Sequence, residues 1–412
     1  MERCRRRYGD TFTVKLPGPG RTVFISDPES IKALFKADRI NTIASRRNLV
    51  LAPLLGDGSL LLIDGDLHLS RRKLMLPPFH GERMRAYERV MEKATERRLA
   101  SWPSGEPFPL HPSMQEITLE VIMRAVFGVS GERRERLREL LLSILAATRS
   151  PLALGLNLPV VRNLGRLGRV SRAVAETNRL LFAEIAERRA DAELSRREDI
   201  LSMLIAARDE SGEGMSDREL RDQLLTLLMA GHETTATALA WSFDLLFRHP
   251  ESLERLSAEL ETDEHDYLDA VIAEALRLRP VVPFVGRDLE RASSLAGYEL
   301  PAGTTVMPSI YLAHTREATF PEPYAFHPER FLEGQPDTYS WIPFGGGTRR
   351  CLGASFAQVE MRVVLRTILR AVELKPATEA AEEIVRRNVT LSPRHGTPAV
   401  VVRRRERVPV AA

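Results

Sequence analysis

Over 82–100, 115–127 and 132–147 apolar residues recur at spacings of three and four with charges between them, and each stretch predicts an amphipathic helix. Before them, DTFTVKLPGPGRTVFISDP alternates β-favouring residues about a Pro/Gly turn, which predicts a hairpin over 11–25, and a short helix follows over 28–36. The stretch PLALGLNLPVVRNLGRLG (151–168) is apolar but interrupted by Gly and Pro, so it suits a mobile cover better than a regular element. Helical spacing resumes over 169–192 and 199–210, and a third helix over 216–248 opens on the capping box formed by Ser216 and Glu219. Past His265 a helix ends at Pro280, Gly/Pro-rich strands follow in LAGYELPAGTTVMPSI, and FPEPYAFHPERF reads as extended. A last long helix starts just after Cys351, with the apolar stripe Ala357, Met361, Val364, Ile368 and Val372. With no internal repeat or linker, the pattern predicts one large, mainly α domain with a minor β region over 1–412. Its β-rich parts are expected at about 11–27 and 281–312, and its helical bulk at about 82–280 and 352–374.

Composition narrows the function without naming it. Of 412 residues 43% are hydrophobic, ample for a large core, and the formal charge of +3 is too small over this length to argue for a nucleic-acid partner. Only six of the 59 cations are Lys, so abundant Arg is a background of the whole chain rather than a recognition signal. Two cysteines, Cys4 and Cys351, make no disulfide framework, and no C-x-x-C or Cys/His cluster has zinc spacing. No signal peptide or membrane-spanning run is readable, and a reducing, cytoplasmic setting with no membrane is expected.

The chemistry concentrates around FGGGTRRCLG. Cys351 stands between a Gly-rich, Arg-bearing loop and the start of a helix, where free backbone N–H groups and the macrodipole favour a thiolate, able to ligate iron or to act as a nucleophile. A cysteine alone is usually inert packing. Here three glycines are expected to let a flat ligand approach the backbone, and Arg349 can pair with a carboxylate of that ligand.

Phe344, Gly347, Arg349, Cys351 and Gly353 resemble, at the expected spacing, the haem-binding signature of the cytochrome P-450 family. Further elements in the family's order extend the resemblance over essentially the whole chain. AGHETT (230–235) resembles the oxygen-activation segment, in which Gly231 weakens the helix and Thr234 bonds back one turn to open a local groove. The resemblance makes Glu233 and Thr234 the acid and alcohol that deliver protons to an oxygen leaving as water, and leaves His232 without a role. Glu274 and Arg277 form an i, i+3 pair, and Arg330 of PERF completes the family's buried structural network with them. Haem-carboxylate partners implied by the resemblance are His68, Arg72, Arg287 and Arg349, whereas Arg71 and Lys73 are expected to be solvated. The resemblance implies pocket-lining segments at about 47–62, 152–167, 227–235, 281–285 and 389–397, with Ala230, Val281, Val282, Phe284 and Val285 as lining residues. They are mostly apolar, which implies a hydrophobic ligand, and Arg47 and Arg162 are the cations that would change this if they turned inward.

The function implied is that of a soluble bacterial haem-thiolate monooxygenase, with haem b (iron protoporphyrin IX) between the oxygen-activation helix and the cysteine loop. Cys351 would be the axial ligand to the haem iron, pushing electron density towards O–O cleavage as cysteine-ligated haems do in general. One atom of dioxygen would enter a lipophilic small molecule by hydroxylation or epoxidation. Electrons would come from NAD(P)H through a separate ferredoxin and ferredoxin reductase, docked on a basic surface that includes Arg350, Arg71 and Lys73, to a chain expected to be monomeric. Two alternatives stay open: a peroxide-driven peroxygenase, and a non-catalytic haem or ligand carrier. MERCRRRYGDTF resembles a segment that lies well inside related N-terminal regions, which leaves open whether the true N-terminus lies upstream of Met1.

Overall fold

The computed structural model describes residues 1–16, 20–81, 83–128, 131–148, 165–262, 264–387 and 389–405. The predicted cover over 150–168, with Arg162, lies almost wholly outside the described residues, and so does the side chain of Arg47. Its contacts fall into two units, one of residues 1–42, 91–118 and 233–412, the other of residues 43–90 and 119–232.

The first unit holds the sheets. Thr11–Leu16 and Gly20–Ile25 form the expected antiparallel hairpin, with Thr11 opposite Ile25. Thr305–Pro308 adds in parallel to Gly20–Ile25, and Arg287–Leu289 adds antiparallel to Thr305–Pro308. One face of these strands packs Val23, Ile25 and Val306 with Ile31, Leu34 and Phe35 of the helix Pro28–Lys36, which Asp27 caps through the Ser30 N–H at 2.8 Å. A second sheet joins Pro107–Pro109, Pro398–Arg404 and Val372–Pro376. The sequence pattern assigned 372–374 to a helix, but the helix Ala354–Ala371 stops before Val372, which turns extended and pairs with Arg404.

The second unit is helical. It contains Gly65–Met75, Glu132–Thr148, Gly165–Arg189 and Ile200–Ala206, and the division between units falls within Arg83–Leu99, Leu110–Phe127 and Asp217–Arg248. Its buried Arg188 is held by Glu184 at 2.7 Å, Asp199, Ser202 at 2.7 Å and the Phe127 carbonyl at 2.9 Å. Both terminal nitrogens of the guanidinium therefore donate to oxygen acceptors, two of them carboxylates, as a buried charge requires.

Two helix limits differ from expectation for local reasons. Leu110–Phe127 begins five residues before 115 because Pro112 sits in its first turn, where a missing N–H costs nothing. Ile200–Ala206 ends before 210 because the Asp209 carboxylate accepts the N–H groups of Ser211 and Glu213, both within 3.0 Å, and closes a turn. The long helix Asp217–Arg248 opens on the predicted box: the Glu219 carboxylate accepts the Ser216 N–H at 2.9 Å and its hydroxyl at 2.8 Å.

Candidate functional site

In the first unit, the cysteine loop is built by backbone turns. The Cys351 N–H donates to the Phe344 carbonyl at 2.9 Å, and Gly345 and Gly347 both take φ of +67°, a left-handed conformation that glycine adopts without strain. Cys351 is exposed and lies two residues before Gly353, the N-cap of Ala354–Ala371. Phe344 stacks edge-on against Trp341 at 6.5 Å, and Trp341 likewise against Phe331 at 5.7 Å, so aromatic packing fixes the start of the loop.

The loop glycines serve a different purpose from the one expected. A Cβ on Gly346 would come 2.4 Å from the Phe35 ring, and one on Gly347 would come 2.1 Å from Asp38 Oδ2. Two of the three glycines therefore admit the helix Pro28–Lys36 and its following turn, while a Cβ on Gly345 would meet Val285 at an ordinary contact distance of 3.9 Å. Asp38 is central here: it accepts Arg287 Nε at 2.6 Å and Nη2 at 3.0 Å, and the Thr348 N–H at 3.1 Å. Arg287 is thus buried with its fork on Asp38, and its remaining nitrogen donates to the Gly286 carbonyl at 3.1 Å. Arg349 is half-buried and Arg350 exposed.

Glu274, Arg277 and Arg330 come together. Arg277 grips Glu274 with two bonds of 2.6 and 2.8 Å, Arg330 Nε reaches the same carboxylate at 3.2 Å, and Glu274 and Arg277 have no exposed surface. Arg277 also donates to the carbonyls of His314, Pro323 and Ala325, all within 2.9 Å. His314 links this network to the loop, since its Nδ1 donates to the Arg277 carbonyl at 3.2 Å and its Nε2 accepts the Ile342 N–H at 2.8 Å.

The long helix is continuous through Gly231 and Thr234, so the expected opening is not a break in its hydrogen bonding. In its first-unit part, Glu233 accepts Gln115 Nε2 at 2.5 Å, and His111 Nε2 lies 3.9 Å from its other oxygen. One turn on, His111 Nε2 also meets Thr237 Oγ1 at 3.2 Å. Thr235 hydrogen-bonds Glu360, whose Oε1 has no partner among the described residues, and burial pushes this carboxyl well above the usual range against the lowering effect of that bond. Val281 is buried, Phe284 packs edge-on to Phe24 at 6.0 Å, and Val285 packs on the core beneath the hairpin sheet, so these three also serve the core.

In the second unit His68 is buried and Arg72 half-buried on Gly65–Met75. Arg71 is not solvated as expected: its side chain is 12% exposed and bonds Glu219 at 2.7 Å, with Asp209 at 3.5 Å. This pair ties the His68 helix to the long one and removes Arg71 from any docking surface; Lys73 remains exposed but is paired with Glu210 at 2.7 Å. Asp222 and Thr226 of the long helix hold the preceding loop through Gly58 N–H at 2.8 Å and the Ser59 hydroxyl at 2.7 Å. A Cβ on Gly231 would come 3.3 Å from the end of the Ile122 side chain, so the glycine also permits a close approach there. Ala230 beside it is exposed.

The donor set tests which iron group fits. Among the described residues no three His, Cys, Asp or Glu side chains converge on a metal position. A single exposed thiol flanked by arginines fits an iron that brings its remaining ligands and carboxylates with it, as a haem does. Comparison with known proteins agrees: the sequence profile of the Cytochrome P450 family matches residues 1–397. The chain belongs to this family. Over 401 residues it is 46% identical to cytochrome P450 135B1 of Mycobacterium tuberculosis, covering 95% of this chain and 84% of that one. It is 39% identical to cytochrome P450 137 of the same species, covering 96% and 84%. Retinoic acid bound cyanobacterial CYP120A1 superposes with a TM-score of 0.85 at 28% identity, over 97% of this chain and 93% of that one. As a cytochrome P450 the protein is an oxidoreductase, a monooxygenase of the haem-iron type. Members of the family bind hydrophobic substrates and take electrons from a redox partner. Among the described residues no helix is long and apolar enough to cross a membrane.

Sequence reading missed Asp38, Gln115, His111, His314 and Glu360. Only Glu360 carried a local signal, a carboxylate set between Ala357 and Val364 on an otherwise apolar stripe.

Proposed function

We propose that this P450 hydroxylates or epoxidises a lipophilic small molecule, with haem b bound through Cys351. The supporting observation is the exposed Cys351 thiol, held by a loop that the Phe344 carbonyl closes and that Phe35 and Asp38 brace from behind. Bound haem iron supplies the activation of dioxygen, with the thiolate as its protein ligand.

The chain's own residues then bind, orient and move protons. Arg349 and Arg72 neutralise the haem carboxylates, with His68 as a further donor; Arg287 takes part while sharing its fork with Asp38. Phe344 and Gly353 flank the loop's ends, and Gly347 keeps its backbone against Asp38. The Glu233 carboxyl gives a proton and Thr234 carries it inward, each regaining one from water, which is general acid catalysis through a relay. Ala230 and Val282, with the outward edges of Val281, Phe284 and Val285, offer an apolar lining and no fixed charge, which suits an uncharged substrate. Electrons come from NAD(P)H through a ferredoxin and its reductase, and the enzyme works as a cytoplasmic monomer.

The test is the absorption spectrum of the reduced, carbon-monoxide-bound protein beside Cys351→Ala. A strongly red-shifted Soret band that the substitution abolishes is expected. An unshifted band in the unmodified protein overturns the thiolate reading and with it the monooxygenase assignment of this site.

A further inference from the structure

Two pairs of residues spaced by four face each other in the first unit: His111 and Gln115 on Leu110–Phe127, Glu233 and Thr237 on the long helix. Gln115 Nε2 donates to Glu233 Oε2 at 2.5 Å, and His111 Nε2 stands 3.9 Å from Glu233 Oε1 and 3.2 Å from Thr237 Oγ1. The His111 side chain is 2% exposed and its own N–H is anchored on the Gly396 carbonyl at 2.9 Å, so it is a fixed wall of the seam. Gln115 is half-buried and the Glu233 side chain 18% exposed.

A glutamate has three side-chain torsions, and an acid that passes protons works only from the rotamer that aims it at its acceptor. An amide bonded to one oxygen and an imidazole beside the other restrict that freedom strongly. Most of this bond is shielded from water, which strengthens it relative to the same bond at an exposed surface.

We propose that Gln115 and His111 are positioning residues for proton delivery: Gln115 holds one oxygen of the Glu233 carboxyl by a hydrogen bond and the His111 ring stands beside the other, so the pair fixes the rotamer from which Glu233 works. This rests on the acid and alcohol reading of Glu233 and Thr234. The restraint differs from a structural clamp because it acts on a group that must gain and lose a proton in every turnover, so its removal misdirects protons without unfolding the helix pair.

The chain has four glutamines, at 115, 223, 335 and 358, which makes the bond visible one residue at a time. The holoprotein, labelled with 15N-glutamine and held in its diamagnetic reduced, carbon-monoxide-bound form, is expected to show one side-chain amide shifted well downfield. That amide is lost in Gln115→Leu and returns towards the ordinary position in Glu233→Ala, while the other three stay in place. If Glu233→Ala moves none of the four, the bond does not exist and the proposal falls.

The role is read separately. With NADPH, a plant-type ferredoxin and its reductase as surrogate donors and no added substrate, oxygen is reduced either to peroxide by two electrons and two protons, or to two waters by four electrons and four protons, the second electron pair coming from a second NADPH. Gln115→Leu is expected to raise the peroxide yield per NADPH severalfold, and His111→Leu to do the same, with thermal unfolding and the carbon-monoxide spectrum unchanged. A normal amide signature with an unchanged peroxide share overturns the positioning role alone. Loss of the red-shifted carbon-monoxide band in the unmodified protein instead overturns the underlying haem-thiolate reading.

Discussion

A buried imidazole must commit to a tautomer, and at His314 both ring nitrogens are committed: Nδ1–H to the Arg277 carbonyl, the Nε2 lone pair to the Ile342 N–H. Burial first, and the Arg277 charge second, push its pKa down to about 3. The unfolded chain therefore binds a proton at this residue below about pH 6.5 that the folded protein refuses until about pH 3. Stability contributed by His314 is present above the unfolded value and is lost as pH falls, at up to about 1.4 kcal/mol per pH unit. In urea titrations between about pH 7 and about pH 5, His314→Gln is expected to be destabilised yet to lose stability less steeply than the parent protein. Equal slopes would mean that the imidazole is protonated in both states. The residue scale is also where the sequence was least legible. Asp38, His314 and Gln115 stand in ordinary surroundings along the chain, and their roles arise from partners 249, 37 and 118 positions away. No local pattern encodes such a partner.

Elements were far more legible, because periodicity reports burial of a face and burial of a face is what makes an element. The hairpin, the helix over 28–36 and the long helix with its Ser216 cap came out almost as read. The chain's last strands did not, since Val372–Pro376, Ile384–Arg387 and Thr390–Pro393 are too short for alternation to stand out. The glycine loop shows how a correct residue can carry a wrong reason: its glycines stood out as room for a ligand, whereas two of them make room for Pro28–Lys36 and the turn behind it. This yields a prediction about packing between elements. Gly346→Ala would drive a Cβ into the buried Phe35 ring, which lies in the core and cannot swing away. Overpacking of this kind costs about 1–3 kcal/mol. Thermal unfolding should fall accordingly and bound haem per chain should drop, whereas Gly334→Ala, outside the loop and with nothing within 4 Å of its Cβ, should keep both. Equal losses in the two variants would show that the contact with Phe35 does not set the requirement.

At the scale of the molecule, a formal charge of +3 gives little long-range attraction, so an acidic electron donor has to be steered by where unpaired cations stand. Most candidates are already committed. Arg362 grips Asp269 with two bonds of 2.7 and 2.6 Å, Arg366 holds Glu92 at 2.7 Å, Arg71 is sequestered by Glu219, and Lys73 pairs with Glu210. Arg350 is different: it is exposed, adjacent to Cys351, and among the described residues it has no ion-pair partner. Arg350 is therefore the cation we propose to mark the cysteine side for the donor, over a range of about 10 Å at 0.1 M salt. Arg350→Glu should therefore slow reduction of the iron by a ferredoxin about tenfold at low ionic strength. The gap should close as salt rises, because screening removes an attraction in one protein and a repulsion in the other. Arg362→Glu tests the pairing argument: it places a carboxylate beside Asp269 and ought to lower stability more than it changes the salt dependence of reduction. Should Arg350→Glu leave both the rate and its salt slope unchanged, the donor does not approach over the cysteine loop, and the paired arginines of Ala354–Ala371 hold only the fold.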